Sequence, residues 1–260
     1  MPSPTALWRA LMDSCHLNCR AAPGYEAHLL RDSGQILTGE PHADMNFAFI
    51  GASSAASDHL RLFHERAAER GLPMIVLGTP DAAEPLAAEA ASQGYVPAGE
   101  VPLMVCIAPN PDPVLASQPY EIERIDDPAV LREAAPLAAR TFCLPLADVA
   151  RVYNPESLAT SGVDYFIARR EGEVWSFVQT SRIGTQVGIW SMATAPEYQG
   201  QGAGRALLAA VLSHHRQRGV ETFFLTASSA GQRLYQQVGF QETTCLACWL
   251  SGSSAQVGGG

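Results

Sequence analysis

The most constraining stretch of this chain runs from Val187 to Arg218, where a strand, a glycine-rich turn and a helix follow one another. Val187 to Thr194 is apolar on both faces, which predicts a strand inside a covered sheet. Pro196 ends it. Gln199-Gly200-Gln201-Gly202-Ala203-Gly204-Arg205 then places three glycines in five residues, so the backbone can turn tightly and come close to a ligand. Ala206, Leu207, Ala210, Val211 and His214 recur at helical spacing, with Gly219 as a stop signal. A helix opening on such a turn presents unpaired N–H groups and its positive dipole end, which suits a phosphate or pyrophosphate.

Two phosphate loops are excluded by spacing and composition. A dinucleotide fingerprint needs Gly-x-Gly-x-x-Gly, and here the spacing is Gly200-x-Gly202-x-Gly204; a P-loop needs a lysine, and the chain has none. Gln199-x-x-Gly202-x-Gly204, with Met192-Ala193-Thr194-Ala195-Pro196-Glu197-Tyr198 before it, resembles the acetyl-CoA pyrophosphate loop of the GNAT superfamily of N-acetyltransferases. Downstream, Glu221 to Ala227 reads as a further strand, parallel to the first because a crossover helix separates them. Leu234-Tyr235-x-x-x-Gly239-Phe240 is similar to the end of that family's next helix. Ser228 stands where the family commonly has Asn, and it can also cap that helix.

Length and composition set the frame. The chain has 260 residues, 47% of them hydrophobic, enough for a sizeable core in one or two domains. No apolar run approaches a membrane span, and Met1 to Thr5 lacks the features of a signal peptide, so a cytoplasmic protein with no membrane partner is expected. A net charge of −9 argues against sequence-independent nucleic-acid binding and fits a soluble protein or an amine substrate. The six cysteines lack zinc-site spacing and read as free, mostly buried thiols; no metal is expected. His214 and His215 read as part of a solvated helix face.

The order of elements before residue 108 repeats that of the second half. A strand at 46–51, a helix ending at Arg70-Gly71, a strand at 74–77, a helix ending at Gly94-Tyr95 and a strand from Pro102 echo the elements around Gly219 and Gly239, with a period near 145 residues. The copies differ chemically. The first has no Gly-x-Gly turn, carries Asp58 near the helix start, and has alanines where the second has Tyr235. The expected organisation is α/β: two GNAT-like domains, each a mixed, largely antiparallel twisted sheet flanked by helices. A splayed parallel strand pair marks the cofactor site of the second. The boundaries are 1–108 for a degenerate domain, 109–119 for a Pro-rich linker, 120–250 for a catalytic domain and 251–260 for a disordered tail.

The resemblance implies a chemistry. Backbone groups of Met192, Ala193 and Thr194 would hold the pantetheine arm of acetyl-CoA, Gln199 to Arg205 and Ser228 would complete the cofactor contacts, and Tyr235 would protonate the departing thiolate. The helices at 128–142 and 146–153 would wall the acceptor amine. The general base stays open among Asp148, Glu156, Asp164, a water chain or an amine that arrives neutral. The expected function is transfer of acetyl to a primary amine of a small molecule, amino acid or peptide; the other reading is a non-catalytic acyl-CoA-binding protein. Oligomeric state, monomer or homodimer, is open.

Overall fold

The protein is described here by a computed structural model covering residues 2–107 and 119–251. The linker, apart from residue 119, and the tail beyond residue 251 lie outside the described residues. In the first half α1 (Pro4–Cys19) is followed by β1 (Glu26–Leu29), β2 (Ser33–Leu37), β3 (Asn46–Ile50), α2 (Ala56–Glu69), β4 (Ile75–Gly78), α3 (Pro80–Ser92) and β5 (Tyr95–Ile107). The second half holds β6 (Glu121–Ile125), α4 (Pro128–Thr141), α5 (Leu146–Val152), α6 (Pro155–Leu158), β7 (Val163–Arg170), β8 (Glu173–Ile183), β9 (Gln186–Thr194), α7 (Ala203–Arg216), β10 (Thr222–Thr226), α8 (Ser229–Gln237) and β11 (Gln241–Ser251). Local chemistry sets several starts: Ser3 and Asp127 accept from the backbone N–H groups of Ala6 and Ala129, each ahead of a proline in the first turn.

The α/β class is as expected, but the halves do not form separate sheets. All the strands join one 11-stranded sheet in the order β1-β2-β3-β4-β11-β5-β10-β9-β8-β7-β6. Each half gives its last strand to the other. β11 pairs antiparallel with β4 and β5, both of the first half, while β5 pairs antiparallel with β10 and β11, both of the second. A sequence pattern names strands and not their neighbours, so this exchange is not legible before the fold is known.

Alternation along the central strands assigns the two faces. Leu103, Val105 and Phe224 meet α1 through Leu7, Leu11 and Cys15, so α1 covers the region where the halves join. Met104, Cys106, Phe223 and Leu225 point the other way, into the core under α7 and α8. α4 and α5 share the α1 face, against Tyr165, Ile167 and Phe177, and α2 and α3 pack with Val76 and Trp249 on the opposite one. No helix among the described residues is long and apolar enough to cross a membrane.

Candidate active site

The site begins with a gap in the sheet. β9 and β10 run parallel and pair at Gln186↔Thr222, Val187↔Phe223 and Gly188↔Phe224, where their ladder ends. β10 stays with β5 as far as Thr226, while β9 diverges as far as Thr194. The cause is a bulge: Ser191 adopts φ 51°, and the register against β8 slips between Gln179↔Trp190 and Phe177↔Ala193. A serine in the left-handed region is held there by its surroundings, since Tyr153 donates its hydroxyl to Ser191 Oγ at 2.6 Å. In the first half the equivalent pair, β3 and β4, stays joined to its end at Ile50↔Gly78, with no such gap.

Beyond β9 the chain makes a 3-10 turn at Pro196–Tyr198 and enters α7 through Gly200 and Gly202, at φ 75° and 94°. A Cβ on either glycine would meet nothing within 4 Å, so conformation demands glycine there and the space above the helix start is open. No side chain caps α7 at Gly202, leaving its first N–H groups for a ligand. These features fit the pyrophosphate of acetyl-CoA. At Gly204 a Cβ would stand 3.0 Å from Thr194 Oγ1 and 3.2 Å from Met192 Cε, so the helix start and the strand end approach closely.

The turn is braced by aromatics that sequence reasoning did not single out. Tyr198 stacks on Trp175 with ring centroids 4.0 Å apart, and Tyr120 packs beside Trp175 and donates its hydroxyl to the Gln201 carbonyl at 2.7 Å. Gln199 donates to the Thr194 carbonyl at 3.3 Å and Arg140 pairs with Glu197 at 3.1 Å. The sequence signal for this brace is weak, because Tyr120, Trp175 and Tyr198 come from separate elements.

Met192, Thr194, Gln199, Gly200, Gln201, Gly202, Ala203, Gly204, Arg205, Ser228 and Tyr235 all border one groove of about 2500 Å³. Ala193 does not: its side chain enters the α4 core and its carbonyl accepts from Ser176 Oγ at 2.7 Å. Ser228 caps α8, its hydroxyl accepting from the Gly231 N–H at 3.2 Å. The Tyr235 ring is 8% exposed and packs edge-on against Phe240. Its hydroxyl makes no hydrogen bond to another described residue, and burial pushes its pKa up to about 12, keeping it neutral at physiological pH. Arg205 and Arg233 border the groove without ion pairs among the described residues.

Through the gap the groove continues to the α1 face. There Phe142, Leu144, Val149 and Tyr153 line it, as expected of the wall helices, together with Asn18, His42 and Phe47 of the first half. Of the carboxylates considered as base, Asp148 does not itself border the groove but lies 2.8 Å from Nε2 of His42, which does. Asp164 and Glu156 do not border the groove, and Asp164 pairs with Arg124 at 3.1 Å. His215 departs from expectation: it is buried, Nε2 lies 3.1 Å from Thr180 Oγ1, and burial lowers its pKa to about 4. Adjacent helical residues point about 100° apart, so a pair of histidines does not share one face. All six cysteines are free thiols, four of them buried.

Residues 161–242 match the acetyltransferase (GNAT) domain family. The solved GCN5-related N-acetyltransferase from Kribbella flavida has the same fold over 96% of each chain, with a TM-score of 0.70 at 13% identity. A tandem GNAT protein from the clavulanic acid biosynthesis pathway is similar over 88% of this chain and 84% of its own, with a TM-score of 0.55 at 14% identity. In sequence the chain is 33% identical over 82 residues to the ribosomal protein bS18-alanine N-acetyltransferase of Escherichia coli (strain K12). That alignment takes in 30% of this chain and spans 55% of the relative's length.

Proposed function

We propose that the protein transfers the acetyl group of acetyl-CoA to a primary amine, with one active site per chain, in the second half. The observation that carries this reading is the coincidence, on one groove, of the splayed β9 edge, the uncapped start of α7 and the neutral hydroxyl of Tyr235. Acetyl-CoA supplies an activated thioester. The N–H groups at Ala203 to Arg205 hold its pyrophosphate, with Arg205 and Arg233 adding positive charge. The β9 backbone at Met192 and Thr194, unpaired on the β10 side, holds the pantetheine arm in strand fashion. Tyr235, neutral and with its hydroxyl unclaimed by any other described residue, hydrogen-bonds or protonates the departing thiolate.

The first half, 1–108, is on this reading a degenerate copy whose parallel pair, β3 and β4, stays closed. The acceptor enters from the α1, α4 and α5 face, opposite the cofactor. The bS18-alanine N-acetyltransferase relative favours an α-amine on an amino acid or peptide as acceptor. A thiol-release assay with acetyl-CoA and a panel of amines, paired with mass analysis of the amine, tests the proposal. Equimolar free CoA and acetylated amine are expected; tight acetyl-CoA binding with no thiol release beyond the buffer rate would favour the non-catalytic reading.

A further inference from the structure

Asn18 sits near the end of α1, in the wall of the groove on the acceptor side. It is 5% exposed, and neither Nδ2 nor Oδ1 has a hydrogen-bond partner. The fully buried Asn46 and Gln179 are hydrogen-bonded, Asn46 donating to the carbonyls of Glu40, His42 and Pro73 and Gln179 donating to the Tyr165 hydroxyl at 2.9 Å, while Gln93 and Gln186 each leave only Oε1 unanswered. A buried amide with both functions unpaired is costly wherever nothing answers it. Helix α1 does not need it for packing, since Leu7, Leu11 and Cys15 make that contact.

The groove wall that holds Asn18 also takes in His42 and Asp44. Cys15, Cys19, Trp190, Ser191 and Tyr153 line it with Asn18. Burial raises the Cys15 thiol well above its ordinary range and pushes the Tyr153 hydroxyl up to about 12, so both stay neutral. An ionised group pressed against this neutral thiol and hydroxyl would lose water without gaining a counter-charge from them. A group offering one acceptor and one donor would answer both functions of Asn18 at once. The Ser191 bulge, where the parallel strands have parted, belongs to the same wall.

We propose that Asn18 of the first half is the acceptor-recognition residue, pairing with a neutral amide of the acceptor molecule while that molecule's amine faces the β9 gap. This rests on the acetyltransfer reading above and narrows it: the acceptor is an amine that carries an amide, as a peptide N-terminus or an amino-acid amide does. It also gives the first half a task in the reaction, because Asn18 belongs to α1.

The test is calorimetric binding of matched amines to the full chain saturated with CoA. Alaninamide, β-alaninamide, alanine and isopropylamine are compared on the parent and on Asn18→Leu and Asn18→Ala, with CoA affinity and melting temperature as folding controls. The parent should bind one of the amides about 10- to 100-fold more tightly than isopropylamine or alanine, as two added hydrogen bonds imply. Both variants should lose that preference while keeping CoA affinity. A preference for alaninamide over β-alaninamide marks a peptide-like spacing, and the reverse marks a separated carboxamide. Amides that bind no better than isopropylamine, or a preference that survives in both variants, would overturn the proposal. Amide binding with no acetylated product once acetyl-CoA replaces CoA would sink the acetyltransfer reading and leave the recognition role of Asn18 standing, whereas rapid acetylation from acetyl-CoA with no amide preference would do the opposite.

Discussion

At the scale of the residue, Tyr235 and His215 show how burial changes a side chain's part. Tyr235 is held neutral by burial, with its hydroxyl unclaimed by any described residue. Tyr235→Phe keeps the ring against Phe240 and removes the hydroxyl, so turnover should fall about 10- to 1,000-fold, at or below the range of a positioned acid. Acetyl-CoA affinity measured by calorimetry should barely move, and a change confined to affinity would mark a binding role instead. His215 makes a stability prediction. Its folded pKa is lowered from 6.5 to about 4, so as pH falls the unfolded chain takes up the proton first. Its contribution is whole above pH 6.5 and is lost between there and pH 4, up to roughly 3 kcal/mol. Urea midpoints at pH 7.5 and 4.5 should show a steeper loss for the parent than for His215→Gln. Tyr235 was legible in the sequence because Gly239-Phe240 follows at the family's spacing. Asn18 and the burial of His215 were not, since each depends on what a distant segment lays over it.

At the scale of the element, the start of α7 and the bulge of β9 act together. The glycine turn was legible because three glycines can serve a helix start in few ways. Its bracing was not, because Tyr120, Trp175 and Tyr198 meet only when β6, β8 and the turn are side by side. Gly202→Val would force a β-branched residue to φ 94° and put a side chain where the N–H groups face outward. Acetyl-CoA binding should weaken by at least about tenfold, the equivalent of ~1.4 kcal/mol, while circular dichroism stays native. Undiminished affinity would mean that the turn does not hold the cofactor. The splay was expected from the resemblance, yet its origin at Ser191 was hidden, since a serine in a strand carries no local sign that it adopts φ 51°.

At the scale of the whole molecule, the exchange of β5 and β11 ties the copies together. The repeated order of elements was legible in the sequence; the exchange was not, because strand pairing is a long-range choice. Since the strand partners of β11 are β4 and β5, residues 120–251 expressed alone would leave β11 without its native strand neighbours. The full chain should melt in one calorimetric transition, and the isolated segment should be unfolded or aggregated. A segment that folds alone with parental acetyl-CoA affinity would show that the exchange is dispensable. The contrast between the copies, one parallel pair open at a bulge and the other closed, leads to the most direct test: calorimetric titration of the full chain with acetyl-CoA. One molecule bound per chain, lost or strongly weakened in Gly202→Val, is the predicted result. Two molecules per chain, or one that binds equally well in Gly202→Val, would contradict a single site at the opening of β9 and the start of α7.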